Sequence, residues 1–495
     1  MSTLVPTWEL RARFAQRLSD LYGQEVPAYR TLVEVSTQVN QRVLARFGRA
    51  AERFGSIDRV TAERHGAIRV GSPRELAQVA TVFTAVGMHP TGFYDLRDAM
   101  PQPIPVVSTA FRPHAPDELA RNPFRVFTSM LVPGDRRFFA AELEARLVEF
   151  IEGRELFAPE LLELAAEAEA GGGLSETQAQ RFLDLAARSF ALSDEPVDEA
   201  WYATLSAISG VAADIGGVRS THINHLTPRV LDIDDLYASM SARGIEMIDE
   251  IQGPPGWEGP DVLLRQTSFR ALAEPRLFRT ADGSLTQGEL RVRFGEVEQR
   301  GIALTPAGRS LFDDLVGRTD ARLAEAAERG GDDAAPPVRT DVARDVWREH
   351  LPADERELDR AGLAFCTYTV VESATLAPGV PTDLDALLDA GVLRAEPIVY
   401  EDFLPRSAAG IFASNLADRG RRDDAAEGEQ RDLAWLAEAM GRPIAVPEEL
   451  YAAQRAASLE RAAARLGLER IDIDRPGVDH AAGRAATAHA AEGAS

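Results

Sequence analysis

Two strings, Arg64-His65-Gly66-Ala67-Ile68-Arg69-Val70 and His225-Leu226-Thr227-Pro228-Arg229-Val230, decide how this chain of 495 residues is read. Set one under the other, they match His, Arg and Val at the same offsets. Each opens a strand-like run and each is followed by a helix. In the first, Ser72-Pro73 supplies a capping residue and a first-turn Pro for a helix predicted over 73–87. In the second, the helix is predicted over 234–243. Both helices run into a glycine and a strand candidate, at Gly87-Met88 and Gly244-Ile245. Further on, Arg125-Val126-Phe127-Thr128-Ser129 lies under Val292-Arg293-Phe294-Gly295-Glu296. The echo predicts two β-α-β-β-β modules, at 61–136 and 201–325, separated by a helical insertion at 137–200. The fold class that follows is α+β with a curled central sheet.

Each module's first strand carries a His, and only the second module has an acid on its last strand: Ser129 stands where the other has Glu296. Two His and one carboxylate form the facial set that holds Fe(II) and leaves positions open for substrate and oxygen. One carboxylate leaves such a site with a net positive charge, which favours an anionic chelating substrate. All three side chains have to project into the concavity of the sheet. His222 and His225 differ by three and so face opposite sides of a strand. His225 is in register with His65, which leaves His222 as a supporting or surface residue. Glu296 and Glu298 differ by two and share a face, so spacing does not separate them. Either could instead pair with one of the many arginines, and His65 could be a hydrogen-bonded core histidine.

Outward from the modules, residues 1–60 read as helical. Amphipathic segments fall at 7–23 and 27–47, the latter with Leu32, Val35, Val39 and Val43 at helical spacing. Strands are expected at 65–70, 106–112, 124–131, 219–233, 245–251, 262–272 and 290–300. A broken polar linker covers 329–337. An α/β region at 339–470, with strand-like stretches at 363–371 and 397–404 and an Ala/Arg helix at 449–467, would close the site. The tail, 471–495, holds His480 and His489 and is expected to be disordered.

Composition narrows the chemistry. Every one of the 54 basic residues is Arg. Without Lys there is no Schiff-base catalysis and no phosphate-loop lysine. A net charge of −24 argues against nucleic acid and anionic membranes. The lone Cys366, in an apolar stretch, excludes an internal disulfide and a cysteine-based zinc site, and reads as a buried structural thiol. Neither a signal peptide nor an apolar run of membrane-spanning length is evident, so a cytoplasmic protein is expected.

The residues around these positions resemble known families. Asn224-His225-Leu226-Thr227 and Phe294-Gly295-Glu296-Val297-Glu298-Gln299-Arg300 are similar to the metal-binding strands of 4-hydroxyphenylpyruvate dioxygenase, a vicinal-oxygen-chelate enzyme whose first Glu sits on iron. Over nearly the whole chain the resemblance is closer to the 2-oxoadipate dioxygenase/decarboxylase family. It is carried by 64–69, 222–229, Leu264-Arg265-Gln266-Thr267-Ser268-Phe269, 293–305 and Val399-Tyr400-Glu401-Asp402-Phe403-Leu404-Pro405. The resemblance implies a vicinal-oxygen-chelate-like sheet and Fe(II) held by His65, His225 and Glu296, with Glu296 taken over Glu298. It also implies conversion of 2-oxoadipate and O2 to 2-hydroxyglutarate and CO2 in lysine catabolism, with Arg69 on a substrate carboxylate. Arg69 is four residues from His65 and so shares its strand face, about 13 Å along the backbone at about 3.3 Å per residue. A six-carbon diacid chelating iron at one end would present its far carboxylate in that gap. Arg406 departs from the family pattern, which has an apolar residue there. Arg406 and Ser407 are weaker candidates for substrate contact. The rival readings are another 2-oxo-acid or extradiol dioxygenase of the vicinal-oxygen-chelate type with the same triad, and a non-catalytic metal- or ligand-binding protein.

Overall fold

The computed structural model describes residues 4–53, 55–99, 102–291, 293–329, 338–372, 382–416 and 422–473. The expected disordered tail lies outside these residues from 474 onward, with His480 and His489, as does the predicted linker after Arg329.

The first string forms the strand Arg64–Val70, with every residue after Arg64 buried. A sheet strand that is apolar or paired along its whole length needs cover on both faces. One cover comes from Pro73–Thr84, which follows a Ser72 side chain accepting from the Glu75 backbone N–H. The strands His89–Asp95, Val106–Arg112 and Arg125–Leu131 complete the first module. Arg64–Val70 pairs in parallel with Arg125–Leu131, placing His65 beside Arg125 and Arg69 beside Ser129. On its other edge it pairs antiparallel with His225–Pro228, setting His65 opposite Thr227 and Ala67 opposite His225. His65 and His225 therefore point from the same face of one five-stranded sheet.

The segment 201–325 does not repeat that arrangement as expected: His225–Pro228 joins the five-stranded sheet, while Leu264–Ser268 and Glu296–Arg300 form a separate two-stranded one, and the expected single curled sheet is not seen among the described residues. After His225–Pro228 comes the helix Ile233–Ala242, capped by Asp232. No strand forms over 245–251; among the described residues, ladder pairing at and just beyond this stretch is limited to the single bridges Met247 to Phe269 and Gln252 to Gln266. Pro254-Pro255 follows at once, and two residues without N–H donors cannot continue a ladder. The expected strand at 219–233 shortens to 225–228, because Thr221 and His222 bond to the first strand and to a neighbouring helix instead of to a partner strand. Leu264–Ser268 pairs antiparallel with Glu296–Arg300, setting Glu296 opposite Ser268 and Glu298 opposite Gln266. Between them runs an unpredicted hairpin, Glu274–Arg279 with Leu285–Leu290. The two sheets meet where Arg229 bridges to Glu298 and the Val230 N–H donates to the Glu298 carbonyl at 2.8 Å.

Two N-terminal helices, Thr7–Glu25 and Pro27–Phe47, bury Leu10, Phe14, Leu18, Leu32, Val35 and Val39 against this core. Each such side chain removed from water stabilises by about 1.5–3 kcal/mol. Tyr22, also buried, donates its hydroxyl to the carbonyls of Asn224 and Phe294 at 3.0 and 2.7 Å. It thereby ties together the residues that precede His225 and Glu296. The insertion holds the helices Ala141–Glu152, Pro159–Gly171 and Glu176–Ser189.

In the C-terminal region, Cys366–Val370 pairs with Leu393–Pro397, and Cys366 is buried. The stretch 397–404 is not the expected strand. Its Glu401 and Asp402 turn inward to arginines, and it leads into the helix Pro405–Leu416. Among the described residues, no helix is long and apolar enough to cross a membrane.

Candidate metal centre

His65, His225 and Glu296 converge. Each offers one ligand atom, all within 4.8 Å of one another, and all three residues are buried. Glu296 Oε2 lies 3.2 Å from His225 Nε2 and Glu296 Oε1 lies 3.7 Å from His65 Nε2. The two rings sit edge to face with centroids 5.3 Å apart. Local backbone fixes this arrangement. Gly295 precedes Glu296, and a Cβ there would stand 1.9 Å from the Phe269 ring. The strand bearing Glu296 can approach that closely only because the position is glycine.

The surroundings separate the two acids that spacing left together. Glu298 accepts from His65 Nδ1 at 2.9 Å, and Arg300 forks onto it with Nε at 2.8 Å and Nη2 at 2.9 Å. Burial alone would raise the Glu298 carboxyl, but Arg300, His65 and Arg125 outweigh it and hold the group below the usual carboxylate range. Among the described residues, Glu296 meets no arginine within salt-bridge distance, and only the amide of Gln266 donates to it. Burial, then the charge of Glu298, pushes its carboxyl well above the usual range. Burial lowers both histidines, more strongly for His225, where His65 and Arg69 add to the effect. Neutral imidazoles are the form that binds a metal.

The donor set suits a cation. Among the described residues, neither ring nitrogen of the buried His225 has a hydrogen-bond partner, and its 3.2 Å approach to Glu296 is out of alignment for a hydrogen bond. An unsatisfied buried polar group costs about 1–3 kcal/mol. A divalent ion among two imidazole nitrogens and a carboxylate would satisfy all three groups at once. Gln266, Phe127, Phe403 and Ile411 wall the cavity, which measures about 20 Å³.

Arg69 is buried on the face of His65 and pairs with Asp214. Asp214 also accepts from Asn224 Nδ2 at 2.9 Å and lies 3.2 Å from His222 Nε2. His222 is therefore buried beside this pair, not on the surface. Arg406 and Ser407 are not brought into the cavity of the triad. Both line a separate cleft of about 910 Å³, where Arg406 is exposed and bonds to Asp320 at 3.0 Å while Ser407 is buried. The sequence reading missed Gln266, Phe127, Phe403, Ile411 and Asp214. Gln266 and Phe403 stood inside strings that carried the family resemblance, which was the only signal for them.

The 2-oxoadipate dioxygenase/decarboxylase family profile matches residues 14–415. A protein of Mycobacterium tuberculosis named 2-oxoadipate dioxygenase/decarboxylase is 54% identical over 450 residues, covering 91% of this chain and 97% of the relative. One of Escherichia coli with the same name is 39% identical over 463 residues, covering 91% and 97%. The crystal structure of hydroxyglutarate synthase from Pseudomonas putida in complex with 2-oxoadipate superposes with a TM-score of 0.79 at 37% identity, covering 94% of this chain and 100% of that one.

Proposed function

The chain belongs to the 2-oxoadipate dioxygenase/decarboxylase family, and from that premise we propose that His65, His225 and Glu296 hold Fe(II) and that Arg69 receives the far carboxylate of the substrate. The protein converts 2-oxoadipate and O2 to 2-hydroxyglutarate and CO2. Carbon and oxygen balance without an external reductant, because the electrons come from the 2-oxo acid itself. The observation that carries the metal assignment is the buried His225 ring, with neither nitrogen hydrogen-bonded among the described residues, facing a carboxylate that forms no ion pair with a described arginine.

An iron(II) ion in this donor set would supply open positions for a chelating 2-oxo acid and for O2. The protein's own residues do the rest. Gln266 orients the Glu296 carboxylate through its amide. Phe127, Phe403 and Ile411 exclude water from the reacting end. Arg69, held by Asp214, offers a guanidinium to the second carboxylate, and planar donors of this kind bind carboxylates bidentately. A cavity of about 20 Å³ accommodates little more than a water molecule, so the diacid enters only when the roof formed by Phe403 and Ile411 yields. The cleft bearing Arg406 and Ser407 lies across the helix Pro405–Leu416 from that roof and is the natural approach.

The same reading gives the parts of the chain their tasks. The modules at 61–136 and 201–325 carry the ligands on one concave surface, supported by the contact between Arg229 and Glu298 that links the two sheets. The region at 339–470 closes it. A role in lysine catabolism in the cytoplasm completes the proposal. The test is anaerobic loading with iron(II), followed by O2 uptake with 2-oxoadipate. Uptake with release of CO2 is expected in the wild type and absent in His65→Ala, His225→Ala and Glu296→Ala, which also lose iron.

A further inference from the structure

The interior beside the triad contains an unusual density of charge. Glu63, Glu298 and Glu401 lie among Arg59, Arg125, Arg229 and Arg300, and all but Arg59 are buried. Arg125 reaches Glu63 at 2.8 Å and Glu298 at 3.4 Å, and also pairs with Glu401. Arg229 bonds Glu63 at 2.9 Å. Arg300 sends Nη1 to the carbonyls of Tyr400 and Asp402 at 2.7 and 3.0 Å while its Nε and Nη2 fork onto Glu298. Buried ion pairs of this kind gain little net stability against apolar packing, since desolvation opposes the attraction. Their value lies in geometry.

That geometry ends on His65. The fork of Arg300 occupies both oxygens of Glu298 and so fixes the plane of the carboxylate. The oxygen Oε2 then stands 2.9 Å from His65 Nδ1. An ionised carboxylate can only accept, so the Nδ1 atom must carry the proton and Nε2 keeps its lone pair. Nε2 is the atom nearer Glu296. We propose that Glu298, locked by Arg300, is the positioning residue that fixes the ring and tautomer of His65 so that Nε2 faces the metal. The inference rests on the reading of the triad as a metal centre. Residues one bond removed from a ligand in this way typically change metal affinity 10–100-fold when lost.

The test uses the full-length protein and cobalt(II), titrated against a competing chelator, with the ligand-field bands of the bound ion and the melting of the metal-free protein followed alongside. Glu298→Ala is expected to bind cobalt about 10–100-fold more weakly than wild type. Glu298→Gln, whose amide oxygen still accepts from Nδ1, recovers part of that loss. Arg300→Lys keeps the charge but not the fork, and it too weakens binding. A role confined to packing would lower the melting temperature and leave the affinity of the folded protein unchanged. A folded Glu298→Ala protein with wild-type cobalt affinity overturns the inference. Should that variant not fold, wild-type affinity in both Glu298→Gln and Arg300→Lys overturns it equally. Glu296→Ala separates the two levels: if it abolishes binding while the Glu298 and Arg300 variants are silent, only the inference fails. If it is silent as well, the metal centre itself is misassigned.

Discussion

Two glutamates two residues apart meet different fates because of what stands beside each. Glu298 is neutralised by Arg300 and Arg125, whereas Glu296 faces two imidazoles and an amide. Arg69 offers a second contrast, between a substrate that carries a far carboxylate and one that does not. Arg69→Met should raise KM for 2-oxoadipate by 10-fold or more, about 1.4 kcal/mol, while leaving KM for 2-oxohexanoate within a few-fold. Equal effects on both would show that Arg69 does not read the second carboxylate. The kinship of His65 and His225 was legible from the matched offsets of their two strings, although the strands run antiparallel and the register sets His65 opposite Thr227. Spacing left Glu296 and Glu298 together, because residues at i and i+2 share a face, and the family resemblance alone chose Glu296. In the structure their neighbours distinguish them, and one of these, Arg125, is remote in sequence.

At the level of elements, the roof over the triad is held down by ion pairs. Arg112, at the end of the strand Val106–Arg112, bonds both oxygens of Asp402 at 2.8 and 3.0 Å, one residue before Phe403. Asp402→Asn leaves Arg112 buried and uncompensated, which should destabilise by about 3–5 kcal/mol, measured by urea unfolding. Burial raises the Asp402 carboxyl, but Arg112 and Tyr451 outweigh it and hold the group below the ordinary aspartate value of 3.8. A depressed carboxylate contributes its full stability above its unfolded value and loses it as pH falls through the folded one. Wild-type stability should therefore drop below about pH 3.8 by more than that of Asp402→Asn. An identical acid profile in the two proteins would refute the assignment. Ile411→Ala, which thins the roof without touching a ligand, should widen the range of 2-oxo acid chain lengths accepted, read as relative kcat/KM. The helices Thr7–Glu25, Pro27–Phe47 and Pro73–Thr84 were readable because capping and periodicity are local signals. The strand expected at 245–251 failed because its partner contacts reduce to single bridges before Pro254. The strand expected at 397–404 failed because its acids are drawn inward by arginines from distant segments.

Over the whole molecule, the arginine-only composition has two faces. The chain carries a net charge of −24, yet Arg112, Arg125, Arg229, Arg293 and Arg300 are among the largest fully buried side chains. Nothing in the composition separated these from the rest. Tyr22 is equally illegible, since its role as a tie between the segments leading into His225 and Glu296 depends on contacts more than 200 positions away. A ligand bound only by the folded state stabilises it by mass action, by about 2.7 kcal/mol at 100 times Kd. Iron(II) or cobalt(II) should thus raise Tm in wild type and not in His225→Ala. The most direct test of the account is the stoichiometry of turnover by the iron-loaded protein. One O2 consumed and one CO2 released per 2-oxoadipate, lost together with iron in Glu296→Ala, is the predicted result. No uptake with 2-oxoadipate, or undiminished turnover in Glu296→Ala, would contradict it.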